Sequence, residues 1–228
     1  MARINDVLIM IENMNKIADH WKDIVFEKED LIWETGNVDT EIIKLEKEGY
    51  LKKIKSIIEI GCGAGDTCKF FSELGIETFG IDIHPPSIRK ALKKENENLS
   101  FECNNFSDIK LNTHFDMIYD NTIYQNCVSK YSEEDVEAYL SKLHEISKPG
   151  TILFANWMKH DEKLELLNPA LPLIHIQDII QDFASWWDIK FIREGLYDFT
   201  KDYNEEMGEE YVKMGGIKSY AVLMERKL

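Results

Sequence analysis

Apolar residues recur at helical spacing at the start of the chain, at Ile4, Val7, Leu8, Ile11, Met14 and Ile17, which predicts an amphipathic helix. A polar, aromatic connection follows, from His20-Trp21 to Trp33-Glu34-Thr35-Gly36. A second helix is expected from about Thr40, stopped by Gly49. From there the period alternates. Ser56-Ile57-Ile58-Glu59-Ile60 is a short apolar run ending in glycines, as a buried parallel strand requires. A helix over Asp66–Leu74, a strand over Thr78–Asp82 and a helix over Ser87–Lys94 come next. Strands are expected at Leu99–Cys103 and Phe115–Tyr119, then a long helix from Ser132 to Ile146. Ser132 and Asp135 stand at capping-box spacing at its start. Pro149-Gly150 closes it, and Thr151–Ala155 reads as a strand. A helix over Ile176–Trp186, a strand at Ile189–Ile192 and a last strand over Lys218–Met224 complete the chain. Strands alternating with helices predict an α/β, doubly wound sheet with helices on both faces. No repeat or linker breaks the series, so one domain (37–228) with an N-terminal helical extension (1–36) is expected.

Composition narrows the partners. Lys+Arg 27 against Asp+Glu 42 gives a net charge of −15. Such a surface repels phosphate backbones and anionic membranes, so neither nucleic acid nor a membrane is expected as partner. No apolar run reaches the length of a bilayer span, and the start lacks a signal-peptide pattern. The cysteines Cys62, Cys68, Cys103 and Cys127 form no C-x-x-C pair, which excludes a zinc motif and points to a reducing cytoplasm. No metal is expected.

Candidate chemistry begins at Glu59-Ile60-Gly61-Cys62-Gly63-Ala64-Gly65, where the first predicted strand passes into a helix. Glycines there allow a tight turn and a ligand in contact with the backbone. Asp82 closes the second strand, where a carboxylate can accept both ribose hydroxyls of an adenosine ligand. Two ligand classes share this layout. The dinucleotide pattern G-x-G-x-x-G would place its third glycine at Asp66, and an acid at that helix start repels a pyrophosphate. S-adenosylmethionine carries no phosphate, and its sulfonium and ammonium favour nearby carboxylates.

The chain resembles the class I S-adenosylmethionine-dependent methyltransferases. The resemblance rests on the glycine turn, Asp82, Phe115-Asp116 before the fourth strand and Lys148-Pro149-Gly150 before the fifth. Within them it is most similar to the thiopurine, thiol and halide methyltransferases and their tellurite-resistance-type relatives, through Trp33-Glu34-Thr35-Gly36 and the helix ending at Glu48-Gly49. Asp120-Asn121-Thr122-Ile123-Tyr124 stands where that branch has an Asp-Arg-Gly stretch, with Asn121 in place of the arginine. The resemblance implies a mostly parallel seven-stranded Rossmann-like sheet with an antiparallel last strand and an N-terminal helical lid. It implies S-adenosylmethionine as cofactor and a small-molecule acceptor. Glu59 is implied to organise the turn near the methionine amino group, with Gly61, Cys62, Gly63 and Gly65 forming the turn. Asp82 and Ile83 are expected at the ribose, and Asn105 and Phe106 at the adenine. Trp33 is expected to close over the ligand, with Trp21 a weaker second. Asp120 and Asn121 are expected at the edge beyond the fourth strand.

Methyl transfer from a sulfonium is an in-line displacement with an activated leaving group, so positioning in a dry pocket does most of the work. A thiolate, halide or neutral amine needs no strong base. A phenol does, and Tyr124, Asp120 or His160 are then the candidates. The acidic stretch Glu205, Glu206, Glu209 and Glu210 reads as a solvated helix face or part of a lid. The alternative from another class is a non-catalytic S-adenosylmethionine-binding protein or partner subunit of the same fold.

Overall fold

Beta-branched and apolar runs at Ile57-Ile58 and Ile118 meet helices whose apolar faces need covering, and both faces of one sheet supply the cover. The computed structural model describes residues 31, 33–130, 132–169, 171–197 and 216–228. The helix expected over Ile4–Ile17, Trp21 and the acidic stretch at Glu205–Glu210 lie outside the described residues.

In chain order the elements are α1 (Thr40–Lys47), a 3-10 turn (Tyr50–Lys53), β1 (Ser56–Ile60), α2 (Asp66–Glu73) and β2 (Glu77–Asp82). Then come α3 (Pro85–Ala91), a second 3-10 turn (Leu92–Lys94), β3 (Leu99–Cys103), β4 (Met117–Asp120), α4 (Ile123–Lys130) and α5 (Glu133–Glu145). The last are β5 (Ile152–Met158), α6 (Glu162–Leu167), α7 (Ile176–Phe183), β6 (Trp187–Leu196) and β7 (Lys218–Arg226). Seven strands form one sheet in the order β3-β2-β1-β4-β5-β7-β6. β1 to β5 run parallel, and β7 runs antiparallel to both β5 and β6. The chain steps outward from β1 to β2 and β3, then returns to place β4 and β5 on the other side. The gap between the carboxyl ends of β1 and β4 is therefore the switch point, where open α/β sheets bind ligands.

Neighbouring residues of β1 serve opposite layers. Ile58 and Ile60 join Ile118, Leu143, Trp157 and Phe183 in one core, while Ile57 joins Ile42, Leu45, Phe71, Tyr119 and Phe154 in the other. A third cluster, with Cys68, Ile88, Leu99 and Phe101, seals the β3 edge. Ser132 and Asp135 form the capping box of α5.

Several boundaries differ from the sequence expectation. The helix expected over Ser87–Lys94 starts at Pro85 and gives way to a 3-10 turn at Leu92, because proline is well placed in a first helical turn. Phe115 and Asp116 precede β4. Asp116 caps neighbouring strand starts, accepting from Lys55 N–H at 3.0 Å. α7 ends at Phe183 rather than Trp186, and β6 runs over ten residues where four were expected. Two helices, α4 and α6, were not expected at all.

Candidate functional site

The glycine turn is built from both sides of the switch point. Gly61 has φ +77°, and a Cβ there would lie 2.8 Å from the Ile123 side chain and 2.9 Å from the Asn121 carbonyl. Only glycine fits. Gly61 and Cys62 N–H both donate to Ile81 O, at 2.8 and 3.1 Å, which ties the turn to β2. Gly65 has φ +79° and begins α2 against the Phe101 ring, 2.6 Å from where its Cβ would stand. The first glycine thus serves the turn and the last serves helix packing. Gly63 differs: a Cβ there would meet only Glu34 Oε1, at 3.9 Å. Lys94 Nζ anchors the turn from outside, donating to Ala64 O at 2.7 Å and Asp66 at 2.8 Å.

Asp82 ends β2 with each carboxylate oxygen accepting a backbone N–H at 2.8 Å, from Gly63 and from His84. Burial pushes its pKa up, and those two N–H bonds oppose the shift. His84 caps α3 and its Nδ1 lies 2.6 Å from Ser87 Oγ. Ser87 Oγ also donates to Glu34 Oε1, while Lys90 Nζ reaches Glu34 Oε2 at 2.8 Å. The segment carrying Trp33 and Glu34 is thereby fastened across the glycine turn onto α3. Trp33 itself is half-buried.

Glu59 is fully buried beneath the turn. Desolvation pushes its pKa up to about 8, and the carboxylates of Asp39, Asp82 and Asp66 push the same way. The Cys68 thiol donates to Glu59 Oε2 at 2.9 Å and moderates the effect. Burial also holds Cys62 as a thiol, with its pKa pushed up to about 11. These thiols are small packing groups, not nucleophiles.

A cleft open to solvent lies beside this turn. Gly61, Asp82, Ile83, Asn105 and Phe106 line it, so the structure brings these five candidates together. Asn105 Oδ1 accepts Ser107 N–H at 3.2 Å and its Nδ2 donates to Asp108 at 3.1 Å, so the amide shapes its own turn. Phe106 is buried, with its ring 5.4 Å from that of Tyr139. Sequence reasoning missed Asn104, Ser107, Ile123, Asn126 and Cys127 on the same wall. The last three lie at i, i+3 and i+4 of α4, and that spacing could have revealed them had the helix been recognised.

Beyond β4 the candidates divide. Asn121 N–H donates to Ile60 O at 3.0 Å and so links β4's end to β1. Asp120 is fully buried. It accepts from Ile123 N–H at 2.7 Å, Tyr124 N–H at 3.0 Å and Tyr139 O–H at 2.5 Å. Burial still pushes its pKa up to about 6. Tyr124 lies inside the core, its ring 4.8 Å from both Trp157 and Phe183, with its hydroxyl donating to Asp182 at 2.6 Å. Burial and Asp182 raise its pKa well above the usual phenol value. The reading of Tyr124 as a base at the acceptor is therefore corrected. Its buried hydroxyl donates to Asp182 of α7, so it points into the core and away from any methyl acceptor. Asp120 anchors α4 with all three bonds turned inward. His160 stacks on His175 at 3.9 Å between ring centroids and lies 3.1 Å from Glu165, and it does not line the cleft. Among the described residues, no group of three or more metal-binding side chains converges.

Known proteins share the family and the fold. The profile of a family described as a methyltransferase domain matches residues 51–188. A ubiquinone biosynthesis O-methyltransferase of Nitrobacter winogradskyi is 26% identical over 110 residues, covering 47% of this chain and 40% of that protein. The chain thus spans about two-fifths of the length of that curated relative. A solved structure from work on converting a disulfide bond into a thioacetal group in echinomycin biosynthesis superposes with a TM-score of 0.68 at 19% identity, covering 86% of this chain and 85% of that one. The N-methyltransferase NodS from Bradyrhizobium japonicum, solved with S-adenosyl-L-homocysteine, superposes with a TM-score of 0.61 at 13% identity, with 97% of each chain covered.

Proposed function

Because the chain belongs to the methyltransferase-domain family, we propose that it is an S-adenosylmethionine-dependent methyltransferase acting on a small-molecule acceptor. One observation carries the reading: at the switch point, Asp82 ends β2 where Gly63 N–H bonds it, and it borders one cleft with Gly61, Asn105 and Phe106. The residues present suit the cofactor. A side chain at Gly63 would project into open space toward Glu34, which is the room a ligand needs against the backbone. The carboxylates of Asp39, Asp66 and Asp82 surround the turn above the buried Glu59, as a ligand with cationic groups favours and a pyrophosphate does not.

S-adenosylmethionine supplies a methyl group on a sulfonium, already activated for displacement. Asp82 would hold the ribose, with its two oxygens kept in place by Gly63 and His84 N–H. Asn105 and its turn would border the adenine. Glu59 and the glycine turn would face the methionine end. Glu34, held by Ser87 and Lys90, would keep the lead segment over the turn and exclude water. Asp120 and Tyr124 hold the edge beyond β4 rigid, which serves catalysis by position. The lead segment Trp33–Gly36 favours the thiol and halide branch, whereas the curated relative is named for ubiquinone O-methylation. Both act on small molecules, and the proposal stays at that class.

Calorimetry with S-adenosylhomocysteine and with NAD tests the cofactor. Micromolar binding of the former and none of the latter is expected, and the converse sinks the proposal. Consumption of S-adenosylmethionine with a panel of small acceptors then separates an enzyme from a mere binding protein.

A further inference from the structure

The cleft occupies the β3–β2–β1 half of the carboxyl edge. Across the switch point, on the α1 face of β4 and β5, lies a second polar group. Asp39 precedes α1 and is fixed by accepting Glu41 N–H at 2.7 Å. Its other oxygen accepts Tyr119 O–H from β4 at 2.9 Å and Asn156 Nδ2 from β5 at 3.0 Å. Tyr119 is the register neighbour of Glu59, so this group adjoins the acid beneath the glycine turn. Asn156 follows Ala155, the partner of the last residue of β4, and so extends beyond that strand's end.

Asn156 is 1% exposed, and its Oδ1 is buried with no hydrogen-bond partner among the described residues. Turning the amide over does not relieve this. The Asp39 carboxylate only accepts, so it selects Nδ2 and leaves the carbonyl facing away. A buried carbonyl without a donor is costly, and most such groups find one.

We propose that Asn156, oriented by Asp39 and Tyr119, is a positioning residue for the methyl acceptor, receiving a hydrogen bond from an acceptor hydroxyl or amine. The inference rests on the methyltransferase reading and deepens it by naming the acceptor class. Thiolates and halides have no proton to offer Asn156 Oδ1, and the neighbouring Asp39 carboxylate repels their charge. The site therefore selects a neutral donor group, against the thiol and halide chemistry that the lead segment suggests.

The test uses the full chain saturated with S-adenosylhomocysteine and titrated with three probes: catechol, 1,2-phenylenediamine and 1,2-dimethoxybenzene. The last has a similar shape and no proton to donate. Catechol or the diamine should bind at least tenfold more tightly than the ether. In Asn156→Ala that preference should collapse to within about twofold, while S-adenosylhomocysteine affinity stays within twofold of the original. Asn156→Leu, close in size, repeats the measurement if the alanine variant does not fold. Equal binding of all three probes to the unaltered chain, no binding by either donor probe, or a preference that survives at position 156 overturns the proposal. A chain that fails to bind S-adenosylhomocysteine at all instead defeats the methyltransferase reading. A purely structural Asn156 would lower the melting temperature and leave the probe preference intact.

Discussion

Asp82 and Glu59 show how single carboxylates divide the work. Both oxygens of Asp82 face backbone N–H donors, so replacing one by an amide NH2 sets donor against donor. Asp82→Asn is therefore not conservative here. It should weaken S-adenosylhomocysteine binding nearly as much as Asp82→Ala, by about 1.5–3 kcal/mol, or roughly ten- to hundredfold. Calorimetry on both variants checks this, and an asparagine variant that binds normally contradicts it. Glu59 is different because its pKa is pushed up to about 8 from 4.5. The folded chain then holds this proton over a range in which the unfolded chain has lost it, so Glu59's contribution to stability is present below about pH 4.5 and falls away as pH rises toward 8. Glu59→Gln removes the titration. It should raise the melting temperature relative to the unaltered chain at pH 8, and the gain should vanish near pH 4.5. A melting difference that does not depend on pH would show that Glu59 is not the titrating group.

The turn from β4 into α4 is where one element depends most on one side chain. Asp120 caps the helix through two N–H groups and also accepts the buried Tyr139 hydroxyl from α5. Thr122 sits between them with φ +73°, a conformation that costs a branched residue on the order of 1–3 kcal/mol. Asp120→Ala removes the cap and orphans a buried hydroxyl, so urea unfolding should show a loss of about 2–4 kcal/mol. Thr122→Gly should go the other way, gaining about 1 kcal/mol by relieving the backbone. A stable Asp120→Ala variant would mean that the cap is dispensable. The same element marks the boundary of what sequence could tell. Strands β1 to β3 were readable because each is a short apolar run bounded by glycine or polar turns, and Asp82 follows the glycine turn at a fixed distance. α4 was missed because its start, Asp120-Asn121-Thr122, resembles a loop and its polar residues Gln125 and Asn126 blur the helical period. Tyr124 misled for a related reason: at the edge beyond a strand it looks available, yet helix geometry turns it into the core between Trp157 and Phe183. The Asp39–Asn156 pair spans 117 positions. No local pattern encodes such a contact, and only the register of β4 against β5 produces it.

At the scale of the whole molecule the dominant quantity is the net charge of −15. Like charges spread over one small fold repel one another and lower its stability. Raising ionic strength shortens the screening length from roughly 30 Å at 0.01 M to about 8 Å at 0.15 M, which weakens that repulsion. The same salt weakens exposed ion pairs such as Lys190–Glu225 and Lys159–Glu194, but solvent-exposed pairs of this kind contribute little. The repulsion should win, so the melting temperature should rise as sodium chloride increases from 20 to 300 mM. The field also acts on the ligands. S-adenosylmethionine carries one net positive charge and S-adenosylhomocysteine none, and the cleft that would receive them is lined by Asp82, with Asp39 and Asp66 around the adjoining turn. Added salt should therefore weaken binding of the donor by a few-fold and leave the product nearly unchanged, so the ratio of their affinities falls with ionic strength. Titrations of both ligands at the two salt concentrations measure that ratio directly. If both affinities decline in parallel, these carboxylates do not act on the sulfonium and must be explained by their hydrogen bonds alone.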